Sequence, residues 1–185
     1  LGLLRPSGGS ARVLGFDVDP GKVARLTEGH SYIDAVPTSE LEWMRANGFE
    51  ATADLARLGE PDGLAICVPT PLDEHHEPDL SYVRSSAESG ARTLRAGQLV
   101  VLESTTYPGT TDELVRPILE GSGLRCGQDF FLAFSPEREN PGDPHWRTSA
   151  IPKVVGADDQ TSRAAAEAMY GAVVSRVVPV SSTRV

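Results

Sequence analysis

Short apolar runs bounded by Gly, Pro and Asp recur along the chain, separated in places by stretches with apolar residues three or four apart. The first pattern predicts buried strands and the second amphipathic helices. Residues 11–17 read as a strand, followed by Asp19 as a helix N-cap with Pro20 in the first turn. Residues 63–68 read as a second strand, closed by Pro69-Thr70-Pro71, which cannot continue a ladder. After a polar loop, Asp79 caps a helix with Leu80, Val83, Ala87, Ala91 and Leu94 on one face and Gly97 as its stop. Residues 98–102 form another strand. Thr110-Thr111-Asp112-Glu113 matches a capping box opening a helix that carries Leu114, Ile118 and Leu119. Residues 130–134, 153–155 and 173–180 supply the later strands, with an Ala-rich helix at 160–170 between the last two.

This alternation predicts an α/β fold: a doubly wound, Rossmann-like parallel sheet with helices on both faces. A length of 185 residues suits one good-sized domain over 1–185, or one domain and the start of a second. The apolar and charged shares, 39% and 23%, are those of an ordinary soluble protein, and the net charge of −9 argues against a nucleic-acid or anionic-membrane partner. No apolar stretch approaches the ~20 residues of a membrane span, and no signal-peptide pattern opens the sequence. Cys67, inside an apolar run, reads as a buried packing thiol, and Cys126 lies in a Gly-flanked loop. Neither looks like a disulfide partner, which fits a reducing, cytoplasmic setting. His75-His76-Glu77 lacks a third ligand at metal spacing and reads as a solvated loop, so no metal is expected.

Candidate chemistry gathers where strands end, the ligand-binding side of open α/β sheets. Gly15-Phe16-Asp17-Val18-Asp19-Pro20 ends a strand in an acid. Such an acid accepts the adenosine ribose hydroxyls of NAD and repels the 2′-phosphate of NADP. Lys22 would lie beside the same ribose or the pyrophosphate; the bland alternative is a helix cap followed by an exposed lysine. The usual glycine-rich turn, G-x-G-x-x-G, is missing, since only Gly8-Gly9 precedes this strand. The expected sheet therefore lacks its first strand, and its neighbours' edges are left open. Val68-Pro69-Thr70-Pro71 and Glu103-Ser104-Thr105-Thr106-Tyr107-Pro108-Gly109 follow two other strands, with small hydroxyl residues that admit a flat ring and a sugar. Phe134-Ser135-Pro136-Glu137-Arg138 places a carboxylate beside a guanidinium after a fourth strand, as a reacting site or as solvated surface.

These four stretches, in this order, resemble the nucleotide-sugar dehydrogenases, which use NAD to oxidise the C6 hydroxyl of a UDP- or GDP-sugar to a carboxylate. Glu77-Pro78-Asp79-Leu80-Ser81-Tyr82-Val83 and Ile151-Pro152-Lys153-Val154-Val155-Gly156 look most like the branch acting on UDP-N-acetylglucosamine, in surface-polysaccharide precursor synthesis. Arg138-Glu139 departs from the Phe-Leu of UDP-glucose enzymes. The resemblance implies that Asp17 and Lys22 hold the adenosine ribose, that Val68, Pro69 and Thr70 line the cofactor's path, and that Ser104 and Thr105 face the nicotinamide. It also implies that Thr105 positions a catalytic water, that Glu137 is the general base, and that Glu137, Arg138 and Glu139 lie along the UDP-sugar. The family's catalytic cysteine, central dimerisation helix and UDP-binding domain match nothing here, so the resemblance implies a dinucleotide-binding portion truncated at both ends and inactive alone. Alternatives are a non-catalytic nucleotide-binding module, a UDP-glucose 6-dehydrogenase, and a 6-phosphogluconate-type dehydrogenase, which shares the fold without the Ser-Pro-Glu-Arg loop.

Overall fold

The computed structural model describes residues 12–33, 36–72, 77–136 and 151–184. The chain divides into two compact units, 1–55 and 56–185. In the first, β1 (Val13–Phe16) and β2 (Phe49–Thr52) pair in parallel, Val13 opposite Phe49 and Phe16 opposite Thr52. Between them run α1 (Pro20–Glu28) and α2 (Thr38–Ala46). Asp19 caps α1 as expected, its carboxylate accepting the Gly21 N–H at 2.8 Å, with Pro20 as the first helical residue. Gly29, at φ +88°, takes the left-handed conformation that ends α1. The core of this unit is small: Leu26, Leu41, Met44 and Phe49.

The second unit holds a five-stranded sheet ordered β3 (Gly63–Ile66), β4 (Leu99–Leu102), β5 (Phe131–Phe134), β6 (Lys153–Gly156), β7 (Val177–Val180). All four residues of β4 are buried, because helices cover both faces. Val100 and Leu102 pack with Val83 and Ala87 of α3 (Ser81–Ala91) and Leu119 of α4 (Arg116–Glu120). Leu99 and Val101 turn the other way, towards Ala166 and Tyr170 of α5 (Gln160–Gly171). This is the doubly wound arrangement predicted from the alternation of elements.

Three expectations need correction. The described strands form two sheets, not one. They are also not all parallel: β6 runs antiparallel to β5, Gly156 opposite Phe134, and β7 then runs parallel to β6. The capping box at 110–113 does not form. The backbone is already helical at Thr110, whose hydroxyl donates back to the Tyr107 carbonyl at 2.9 Å, and the Glu113 N–H goes to the Gly109 carbonyl at 2.8 Å. The turn that follows is π-type, the Arg116 N–H reaching the Thr111 carbonyl, before α4 begins. Asp79 lies one residue before the cap position of α3, which Leu80 holds, and its carboxylate still accepts the Ser81 N–H at 2.8 Å.

Candidate functional site

The predicted site residues fall at strand ends. In the first unit, Asp17 follows β1, its N–H donating to the Thr52 carbonyl at 3.3 Å, which continues the ladder one residue past the strand. One carboxylate oxygen accepts the Asp19 N–H at 2.9 Å; the other lies 3.6 Å from Lys22 Nζ. Lys22 also sits 5.8 Å from the Tyr32 ring centroid. Asp17 retains 30% side-chain exposure, so its carboxylate is both held and open to a ligand. The sequence left Asp17 and Lys22 as site or surface; the structure makes them a pair.

In the second unit the loops after β3 and β4 are stitched together. Both the Glu103 and Ser104 N–H groups donate to the Ile66 carbonyl, at 2.9 and 3.2 Å. The buried Ser104 hydroxyl accepts the Val68 N–H at 2.9 Å and donates to the Val68 carbonyl at 2.8 Å. Thr70 donates its hydroxyl to the Thr105 carbonyl at 2.7 Å. Val68, Thr70, Ser104 and Thr105 are thus one unit of two crossed loops, with Pro69 and Thr105 exposed. Ser104 spends its hydroxyl on this staple, which assigns its side chain to shaping the rim. Glu137, Arg138, Glu139 and the His75-His76 pair lie outside the described residues.

Behind these loops is a polar cluster that the sequence reading did not single out. Glu103, directly after β4, accepts a hydrogen bond from the Tyr170 hydroxyl and lies 3.4 Å from Lys153 Nζ. Side-chain exposure is only 9% for Lys153 and 16% for Glu103, which removes this pair from the class of screened surface bridges. Lys153 Nζ stands 5.4 Å from the Tyr170 ring centroid. Ser135, directly after β5 and buried, donates to the Val154 carbonyl at 2.8 Å. Burial, and then the Glu103 carboxylate, hold the Tyr170 hydroxyl far above its ordinary range, so it stays protonated as a donor. A signal was present: a lysine opening the apolar strand Lys153-Val154-Val155 demands a buried anionic partner.

Cys67 is not the packed core thiol expected. It lies past the end of β3 as an exposed residue, with its sulfur 3.8 Å from Glu103 Oε2. The sulfur itself is turned inward: loss of solvation, and then the Glu103 charge, push the thiol up to about 12. Cys126 is half-buried and pushed up to about 11, chiefly by burial. Neither is a thiolate near neutrality. No group of three or more metal-type ligands occurs among the described residues. No helix among them is long and apolar enough to cross a membrane.

Comparison with known proteins gives the arrangement a context. Residues 7–174 match the model of the UDP-glucose/GDP-mannose dehydrogenase family, NAD binding domain. The chain is 38% identical over 164 residues to a UDP-N-acetyl-D-glucosamine 6-dehydrogenase of Pseudomonas aeruginosa, a match covering 88% of this chain and 38% of that protein. It is 34% identical to the protein CapL of Staphylococcus aureus, across 95% of this chain and 41% of that one. Among solved structures, an NDP-N-acetyl-D-galactosaminuronic acid dehydrogenase from Methanosarcina mazei Go1 superposes with a TM-score of 0.85 at 32% identity, covering 93% of this chain and 39% of its own. A UDP-D-ManNAc dehydrogenase from Pyrococcus horikoshii gives 0.86 at 30% identity, covering 96% and 42%. The chain therefore spans less than half the length of each of these relatives.

Proposed function

The chain belongs to the UDP-glucose/GDP-mannose dehydrogenase family, as its NAD-binding domain, and on that premise we propose that it serves the NAD-dependent oxidation of the C6 hydroxyl of a UDP-N-acetylhexosamine to the uronic acid. The Pseudomonas aeruginosa relative, a UDP-N-acetyl-D-glucosamine 6-dehydrogenase, supports N-acetylglucosamine as the sugar. So does Arg138-Glu139 after the Ser-Pro-Glu motif. The observation that carries the proposal is the stapled pair of loops after β3 and β4, which presents an exposed Thr105 at a rigid strand-end rim.

The residues present fit NAD in part. Asp17 offers a partly exposed carboxylate to ribose hydroxyls, and its charge disfavours a 2′-phosphate. The crossed loops offer a flat rim for the nicotinamide half. No glycine-rich fingerprint for the pyrophosphate occurs in the 185 residues, so NAD binding by this chain is weak. Bound NAD supplies the hydride acceptor. In this assignment Thr105 orients the water, Glu137 takes the proton, and Arg138 and Glu139 hold the sugar nucleotide. The remaining three fifths or so of the relatives' length lies outside the match, and the proposal assigns the nucleophilic cysteine, the dimer-forming helix and most of the UDP site to it.

The test joins this chain, in register, to the remaining length of the Pseudomonas aeruginosa relative and assays NADH formation from UDP-N-acetylglucosamine. Glu137→Gln should abolish turnover and leave NAD affinity unchanged. Unchanged turnover would remove Glu137 as the base, whereas a joined protein that binds NAD and forms no NADH would favour the alternative, a nucleotide-binding module without a reaction, which the absent glycine turn alone recommends. The 185 residues by themselves should form no NADH.

A further inference from the structure

We propose that Glu103, Lys153 and Tyr170 are positioning residues: a buried brace that fixes the strand-end loops bearing Thr105 and Pro136, and through them the nicotinamide half of the cofactor. This role rests on the NAD-dependent function proposed above. It begins from cost. A carboxylate and an ammonium withdrawn from water are kept only when each is well partnered, and hydrophobic residues of like volume commonly serve stability as well or better. Stability alone therefore does not account for this cluster.

Its placement does. Cys67, Glu103 and Ser135 are the residues that follow β3, β4 and β5 at their carboxyl ends. Lys153 opens β6, and because β6 runs antiparallel to β5, its first residue comes to that same end of the sheet. A parallel β6 would have sent Lys153 to the opposite end. The reversal of one strand thus brings a lysine to a rim where parallel strands contribute only the residues that follow them. Tyr170, near the end of α5, closes the cluster from the covering helix.

Of the three, Glu103 is joined directly to the rim. Glu103 precedes Ser104, whose hydroxyl holds Val68, and then Thr105, whose carbonyl holds Thr70. Ser135, whose hydroxyl donates to the carbonyl of Val154 next to Lys153, precedes Pro136. A dinucleotide fold gives one mononucleotide to each half. In the assignment above Asp17 takes the adenosine ribose, and Ser104 and Thr105, after β4, take the nicotinamide. Displacing Glu103 shifts the rim that the nicotinamide ring would meet and leaves Asp17 untouched.

The experiment measures NADH and ADP-ribose binding side by side by calorimetry on the joined protein described above. ADP-ribose carries every part of the cofactor except the nicotinamide ring. Tyr170→Phe deletes one hydroxyl and keeps the buried ring; Lys153→Met deletes the charge. Each should weaken NADH about tenfold and leave ADP-ribose within about twofold. Parallel weakening of both ligands would mean that the cluster only holds the fold together, and unchanged NADH binding would mean that it does nothing at the rim; either overturns the brace. A wild-type joined protein that binds neither ligand sinks the cofactor assignment itself, and the brace with it. Should Lys153→Met fail to fold, Tyr170→Phe decides.

Discussion

In the proposed assignment Asp17 carries the cofactor choice on one carboxylate. A charged acceptor bonded to a ligand hydroxyl contributes about 1.5–3 kcal/mol, so Asp17→Asn should weaken NAD at least roughly tenfold. It also removes the repulsion towards a 2′-phosphate and leaves Lys22 without its 3.6 Å counter-charge. The ratio of NADP to NAD affinity should therefore rise, as titration of the two cofactors against wild type and variant would show; an unchanged ratio would leave Asp17 no part in that choice. The two thiols make a second residue-scale case. Both have folded pKa values raised from 9.0, to about 12 for Cys67 and about 11 for Cys126. A raised thiol stays protonated in the fold while the unfolded chain loses its proton, so the stability it contributes is full below pH 9 and lost as pH climbs from there. At pH 8 the thiolate fraction, and hence iodoacetamide alkylation, should be about a hundredfold lower for folded Cys126 than in urea. Equal rates would refute the burial of the Cys126 thiol.

At the scale of elements, the buried Gln98 shows how β4 is anchored before it begins. Its amide donates to the Leu58 and Pro61 carbonyls at 2.9 and 2.8 Å, and its oxygen accepts the Arg95 N–H at 3.3 Å. Gln98→Leu keeps the volume and strands these groups, a loss of about 2 kcal/mol that a urea melt would detect. A loss under a few tenths would mean that the amide is dispensable. Continuous apolar runs such as Leu99-Val100-Val101-Leu102 were legible because burial on both faces demands them. Asp19 was legible because its carboxylate answers free helix N–H groups. By contrast, α2 and β2 escaped prediction. Phe49-Glu50-Ala51-Thr52 is four residues of mixed polarity, and its pairing with β1 is not written in local periodicity. Strand direction is equally silent: the side chains of Lys153-Val154-Val155-Gly156 alternate identically whichever way β6 runs. For the same reason the sequence reading placed the rim loops correctly and missed the lysine that the antiparallel strand delivers to them.

For the molecule as a whole, the two units are unequal. The first buries four large side chains around a two-stranded sheet; the second has a sheet of five strands with a core on each face. Small cores protect poorly, so amide exchange should be slower in β4 than in β1 and β2. A ligand that engages residues of both units must change exchange in both, since binding stabilises whatever conformation it needs. At about ten times its dissociation constant, NADH contributes about 1.4 kcal/mol, which is tenfold slower exchange for amides that open only when it leaves. The expected pattern is slowing at residues 17–22 in the first unit and at 66–70 and 103–105 in the second. Slowing in the second unit alone would remove Asp17 from the cofactor site and leave the match at the β3 and β4 ends standing. Slowing in neither, at saturating NADH, would leave the chain with the family's fold and without its ligand.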